Sequence, residues 1–166
     1  MGAIMGYISV SGTGFAARTT ASALSRARLP ALLASALLLI GAAPVARLDV
    51  SFDQVRSTKG FLRVCVTTDP ANFPRCVNDN NATKRTVPAD TRSLSVEGLP
   101  HGDYAVAVIH DENGNAKLDT FAGIPKEGFG FSRNPAIGFG PPRFSAARFS
   151  IEGDAEAQQV KLRYIL

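Results

Sequence analysis

The sequence predicts an all-β chain: a single antiparallel β-sandwich of about seven short strands, preceded by a signal peptide. Three observations carry that expectation. Apolar and polar residues alternate over short stretches, as in Gly60 to Thr67 (GFLRVCVT), which is the period of a strand with one buried face. Between such stretches lie segments rich in proline, glycine and asparagine, as in 69–90 (DPANFPRCVNDNNATKRTVPAD) and 135–142 (PAIGFGPP), where chains turn. No stretch beyond the leader repeats with a helical period, and several short strands with Gly/Pro turns point to a sandwich.

The leader sets the organisation. Arg18, Arg26 and Arg28 precede an apolar run from Leu29 to Ala43, broken by Pro30, Ser35 and Gly41. Basic residues, a short apolar segment and then small residues make a secretory signal peptide. The run is shorter than the ~20 apolar residues of a membrane span; a retained N-terminal anchor is the competing reading. Cleavage is expected near Gly41 to Ala43 or after Ala46, giving an N-terminal extension and signal peptide, 1–46, and a β-sandwich domain, 47–166. The formal net charge is +4, yet the leader holds three arginines and no acidic residue. The mature chain is therefore almost neutral, which removes the electrostatic case for a nucleic-acid partner. The expected location is periplasmic or secreted, with no stable membrane span after cleavage. The partner is left open, with the cell envelope as the place to look for it.

Taken in order, Leu48 to Phe52 (LDVSF) alternates and reads as a first edge strand. In Gly60 to Thr67, Leu62, Val64 and Val66 share the buried face, while Cys65 points away. A short strand follows around Lys84 to Val87, and Arg92 to Glu97 (RSLSVE) turns Leu94 and Val96 inward. Gly98 to Gly102 reads as a tight turn. Tyr104 to Ile109 (YAVAVI) is nearly continuously apolar, as expected of a central strand covered on both faces. Ala105 and Ala107 suit close packing on one side, with Tyr104, Val106 and Val108 on the other. Ser145 to Ile151 and Val160 to Ile165 read as the last strands, joined by a turn at Glu152 to Glu156; Ser145 to Ala147 also fits one helical turn.

Cys65 and Cys76 are the two cysteines of the chain. In an exported protein such a pair forms a disulfide where geometry allows, and two cysteines are too few for a structural zinc site.

The most unusual chemistry follows the central strand. Asp111, Asn113, Asn115 and Asp119 repeat as D-x-N-x-N-x-x-x-D. Hard cations take oxygen ligands, and alternate residues of a tight loop turn several oxygens inward, so these four are the candidate Ca²⁺ ligands. Ala116 and Ala122 stand where an EF-hand has its glycine and its bidentate acid, which excludes that motif and leaves a site of weak affinity, on the order of 10⁻⁴–10⁻³ M. Glu127, a carbonyl or water would complete the shell. Asn113-Gly114 is equally the signature of a hairpin tip, where Asp and Asn side chains cap their own backbone; the two readings stay open.

Phe121, Phe129, Phe131, Phe139 and Phe144 cluster next. They suit a plug closing the end of a barrel-like core, or alternatively a ligand platform. Gly128-x-Gly130 lacks the context of a dinucleotide site, and Ser132 is not in a nucleophile elbow. His110, Asp119, Glu127 and Ser132 supply the parts of a small hydrolase in the 110–132 region, without any diagnostic spacing.

One longer pattern runs through these residues. Gly98-Leu99-Pro100-His101-Gly102-Asp103-Tyr104 continues through His110-Asp111-Glu112-Asn113-Gly114-Asn115, Leu118-Asp119, Gly123-Ile124-Pro125 and Glu127-Gly128-Phe129-Gly130-Phe131-Ser132. Pro141-Pro142-x-Phe144 and Ala146-Ala147-x-Phe149 extend it towards Arg163-Tyr164. This resembles the bacterial family called domain of unknown function 2141. The resemblance implies an exported protein with no established activity, and Ala116 stands where the family's pattern has glycine. The Gly-Leu-Pro-x-Gly-x-Tyr segment is also similar to a turn and strand of prealbumin-like and Cna-B-like domains, implying a prealbumin-like or immunoglobulin-like sandwich. Together these expectations describe a non-enzymatic binding or structural module, with the small hydrolase as the alternative.

Overall fold

Ten strand segments and one helical turn form within residues 44–138 and 140–166, which the computed structural model describes. Apart from its last three residues, the segment 1–46 expected to be a leader lies outside them, as does Phe139. The strands are β1 (Val45–Asp53), β2 (Phe61–Thr67), β3 (Thr83–Pro88), β4 (Ser93–Pro100), β5 (Gly102–Asp111), β6 (Thr120–Phe121), β7 (Ile124–Pro125), β8 (Gly128–Phe131), β9 (Phe149–Ile151) and β10 (Ala155–Lys161). The turn of helix, α1 (Phe144–Ala147), precedes β9.

Two sheets carry the architecture. One has the order β10-β1-β4; the other has the order β3-β2-β5-β8, with β9 also pairing with β5. Along β5, β8 lies against Ala107–His110 and β9 against Gly102–Tyr104. Strands β6 and β7 form a separate two-residue hairpin.

Three expectations about strands need correction. The pairings are not all antiparallel: β10 runs parallel to β1, from Arg47 opposite Ala155 to Asp53 opposite Lys161. Strand β1 is the middle of its sheet rather than an edge. The last strand ends where Val160 to Ile165 was to begin, because AEAQQVK has little apolar signal of its own. Its position is set by pairing with β1, a tertiary contact that sequence periodicity does not record.

One apolar cluster joins both sheets. Leu48, Val50 and Phe52 of β1, Val96 and Leu99 of β4 and Val160 of β10 meet Leu62, Val64 and Val66 of β2, with Tyr104, Val106 and Val108 of β5. Each such buried side chain contributes about 1.5–3 kcal/mol. The chain crosses between the sheets at β4–β5, where the expected turn at Gly98 to Gly102 shrinks to a bend at His101. Tyr104 fixes that bend by donating its hydroxyl to the Pro100 carbonyl at 2.8 Å.

The other face of β5 has its own cover. Ala105 and Ala107 pack with Phe129 and Phe131 of β8, Phe73 and Ala147, and Phe144 leans on this second cluster. Phe73, Phe129, Phe131 and Phe144 therefore form an outer layer on a sheet, and among the described residues no barrel closes for them to plug. Phe121 belongs to neither layer and is 69% exposed.

Strand β8, GFGF, explains its own glycines. Phe129 and Phe131 face the second cluster, which leaves Gly128 and Gly130 on the opposite side. A Cβ on Gly128 would lie 2.3 Å from the Tyr164 ring, and one on Gly130 would lie 2.8 Å from the Lys161 carbonyl oxygen. The missing side chains let the C-terminal segment lie on β8, where Arg163 and Phe129 exchange backbone hydrogen bonds of 2.8 and 3.0 Å.

Cys65 and Cys76 are joined, with Cα atoms 6.5 Å apart. The bond ties the 68–82 segment to β2. Asp79 in that segment accepts a hydrogen bond from the Thr67 hydroxyl and further ones from the N–H groups of Asn81 and Ala82. Phe73, in the same segment, reaches Phe131 and Phe144 edge-on with ring centroids 5.7 and 5.9 Å apart.

Candidate functional site

Strand β5 runs two residues further than its apolar stretch, so His110 and Asp111 are strand residues and fully buried. Pairing with β2 holds them, His110 opposite Leu62 and Asp111 opposite Phe61. His110 meets the Lys59 carbonyl through Nε2 at 2.8 Å and the Tyr164 hydroxyl through Nδ1 at 2.7 Å. A carbonyl only accepts, so Nε2 carries the hydrogen; the Tyr164 oxygen in turn accepts the Arg56 N–H at 3.1 Å. With Nε2 as donor, all three bonds are satisfied.

Asp111 organises the loop from beneath. One oxygen accepts the Asn115 N–H at 3.0 Å, the other the Ala116 N–H at 2.8 Å and Arg63 Nε at 2.5 Å. Burial would raise its pKa, but the hydrogen bond from Arg63, the Ala116 N–H, the Arg63 charge and the Asn115 N–H outweigh it and hold the carboxyl below its usual range. Ala116 takes the left-handed conformation, φ 65°, that this wrapping demands.

The other three candidate ligands gather at the exposed tip. The Asn113 and Asn115 side-chain amides donate to the two oxygens of Asp119 at 2.7 and 3.0 Å. Their own carbonyl oxygens accept the N–H groups of Asn115 and Lys117 at 3.0 and 2.9 Å. The structure thus brings Asn113, Asn115 and Asp119 side by side and places Asp111 under them, bound to backbone. Among the described residues no three His, Cys, Asp or Glu side chains form a metal-holding group. Oxygen for a hard cation would have to come from these amides and carboxylates together.

Glu127, suggested as an extra ligand, closes the loop. Buried at 4% exposure, it accepts the Glu112 N–H through one oxygen at 3.0 Å and the Asp119 N–H through the other at 2.9 Å. Glu112 itself lies in a second clasp. Arg56 donates to its two oxygens at 3.2 and 2.5 Å, to the Lys126 carbonyl at 3.0 Å and to Leu166 O at 2.9 Å, with its guanidinium 4.4 Å from the Tyr164 ring centroid. The Arg56 hydrogen bond is the largest influence lowering the Glu112 pKa, against burial and with help from Ser57.

Arg56 and Arg63 are the site residues that sequence reasoning missed. Arg63 carried a weak signal, a cation on the outward face of an alternating strand. Arg56 carried none, because its partners come from three distant segments. Ser132 is likewise spent on structure: its hydroxyl donates to the Ala147 carbonyl at 2.6 Å and accepts the Val106 N–H at 2.9 Å. The side chains of His110, Asp119, Glu127 and Ser132 each bond elsewhere and none bonds to another's side chain; the one link among the four is from the Asp119 backbone N–H to Glu127.

Residues 50–159 match a family described as an uncharacterized protein conserved in bacteria (DUF2141). No curated protein and no solved structure matches the chain.

Proposed function

The chain belongs to this uncharacterised bacterial family, and from that premise we propose an exported, non-enzymatic β-sandwich module, working through binding or structural contacts, whose 111–119 loop takes Ca²⁺ weakly. Export is supported by the joined Cys65–Cys76 pair, since disulfides persist outside the reducing cytosol. Among the described residues no helix is long and apolar enough to cross a membrane. The sandwich reading is supported by the core shared between two sheets and by the Tyr104–Pro100 bond, the kind of tyrosine corner found in Greek-key sandwiches.

The observation that carries the calcium reading is the exposed gathering of Asn113, Asn115 and Asp119 above Asp111. Ca²⁺ takes six to eight oxygens from carboxylates, amides, backbone and water. Asp119 and the amide oxygens of Asn113 and Asn115 would hold it from the tip, and Asp111 would contribute the lone pairs left over from Arg63 and the loop backbone. A bound ion would supply a local positive charge that fastens the tip, and no chemical step. Sharing Asp111 with Arg63 makes the site weak.

A melting series with calcium and with chelator tests this. With a Kd on the order of 10⁻³ M, 10 mM Ca²⁺ stabilises the fold by about 1.4 kcal/mol, a rise of several degrees. Asp119→Asn should abolish the rise. An unchanged melting temperature at 10 mM Ca²⁺ reduces the loop to a self-capped hairpin tip.

A further inference from the structure

The molecule has a concave feature that shares no residue with the 111–119 loop. A cleft of about 550 Å³ opens between the C-terminal segment and residues 137–138, walled by Phe129, Ile137, Leu162, Tyr164 and Ile165. That is within the roughly 300–1,000 Å³ of small-molecule sites, which are mostly apolar with a few placed polar groups. Here the polar groups are Gln54 and Arg163.

Arg163 gives the cleft its chemistry. The ion pairs among the described residues are Arg47–Asp49, Arg56–Glu112, Arg63–Asp111 and Arg148–Asp103. Arg163 is half-buried and in none of them; its guanidinium donates to the Pro135 and Asn134 carbonyls at 3.1 and 3.4 Å. Two neutral acceptors leave donors of the five-hydrogen fork unused and its charge unmatched beside an apolar wall, where an anion is favoured. The Leu166 oxygen does not serve, because Arg56 holds it. The cation is also fixed in place. Its backbone is bonded to Phe129 on both sides and its head to the 134–135 carbonyls, so binding an anion orders little that is not already ordered.

Gln54 supports the same assignment. It sits at φ 60°, a left-handed conformation costly for a residue with a Cβ. Its backbone N–H is tied to Asp53 Oδ1 at 2.8 Å, and its side-chain amide has no hydrogen-bond partner among the described residues. Backbone strain at a position lining a cleft is a feature of ligand clamps.

We propose that this cleft binds a small amphiphilic carboxylate, with its apolar body against Phe129, Ile137 and Tyr164 and its carboxylate on Arg163 and Gln54. This goes beyond the calcium reading, and either stands if the other falls. The test is an amide chemical-shift titration of the intact disulfide-bonded protein with octanoate, and separately with octanol, both below self-association. Octanoate should shift Gln54, Ile137, Gly138 and Ile165 saturably, with octanol at least about tenfold weaker, the scale of a charge-assisted hydrogen bond. Arg163→Gln should bring octanoate down to the octanol level, Arg163→Lys should restore part of the difference, and Ile137→Asp should weaken both. Melting temperatures of the variants separate loss of binding from loss of fold. The proposal is overturned if octanoate leaves those amides unmoved, if the two probes bind equally, or if a folded Arg163→Gln protein keeps the preference.

Discussion

The two halves of the β5 hairpin arm obey different physics. From Tyr104 to Val108 the strand is held by burial, with Val106 and Val108 facing one apolar cluster and Ala105 and Ala107 another. From His110 onward the chain is held by hydrogen bonds to charged groups: Arg63 on Asp111, Arg56 on Glu112 and Glu127 on two backbone N–H groups. Burial is indifferent to protons, while ion pairs and carboxylate-capped backbone are not. The same strand therefore passes from a region insensitive to pH into one that acid should loosen.

The largest expected effect tests the apolar half. Phe131→Ala removes a ring that Phe73 meets at 5.7 Å and Phe129 at 6.0 Å, and should cost about 3–5 kcal/mol. Denaturant unfolding at neutral and at acid pH should give the same loss. A loss that shrinks with acid would mean that the two halves are not separable.

Asp111→Asn addresses the polar half. It leaves Arg63 unpaired and weakens the cap on Asn115 and Ala116, at a cost of about 2–3 kcal/mol near neutral pH. Because the folded pKa of Asp111 is depressed, its contribution is full above the unfolded value of about 4 and is lost as pH falls through the lower, folded value. Wild-type and variant stabilities should therefore converge below about pH 4. Parallel curves would contradict the ion pair. Glu112 has the same sign, so wild type should also lose stability in this range.

The contrast also separates what the sequence disclosed from what it hid. The apolar half was legible because alternation reports directly on which side chains face a core: Leu62, Val64 and Val66, and Tyr104 to Val108 on their two faces, all pack as read. Strand β8 was hidden, although GFGF alternates perfectly, because glycine reads as a turn until Tyr164 and Lys161 are known to lie against it. The same holds for β10, whose place comes from β1. In the loop, residue types identified the polar cluster but not its wiring. Asp111 and Glu127 were read as oxygens for an ion; that both also cap backbone depends on where the 112, 115, 116 and 119 N–H groups stand, which residue types do not report.

The disulfide starts from Cys65, which lies opposite Ala107 of the second cluster, and sharpens that cluster's boundary. Replacing both Cys65 and Cys76 with serine should cost roughly 2–3 kcal/mol, because the closed loop is short. Within that loss, the aromatic signals of Phe73, Phe131 and Phe144 should broaden, while the Arg63–Asp111 region keeps its shifts. Broadening on both sides would show that the 68–82 segment supports the polar half as well.

The smallest expected effect is a gain. Ala116 holds φ 65° and Ala122 φ 50°, conformations that cost a residue with a Cβ roughly 1–2 kcal/mol and glycine almost nothing. Ala116 cannot relax, since its N–H is bound to Asp111 and the next residue's N–H to Asn115. Ala116→Gly should therefore stabilise the protein by about 0.5–1 kcal/mol, once the greater freedom of glycine in the unfolded chain is set against the relieved strain. The gain should be the same with calcium or chelator, because it comes from backbone geometry that the Asp111 cap already imposes. A gain seen only with calcium would mean that the ion, rather than the carboxylate, shapes the loop; a loss would mean that the left-handed turn at Ala116 is not populated in solution.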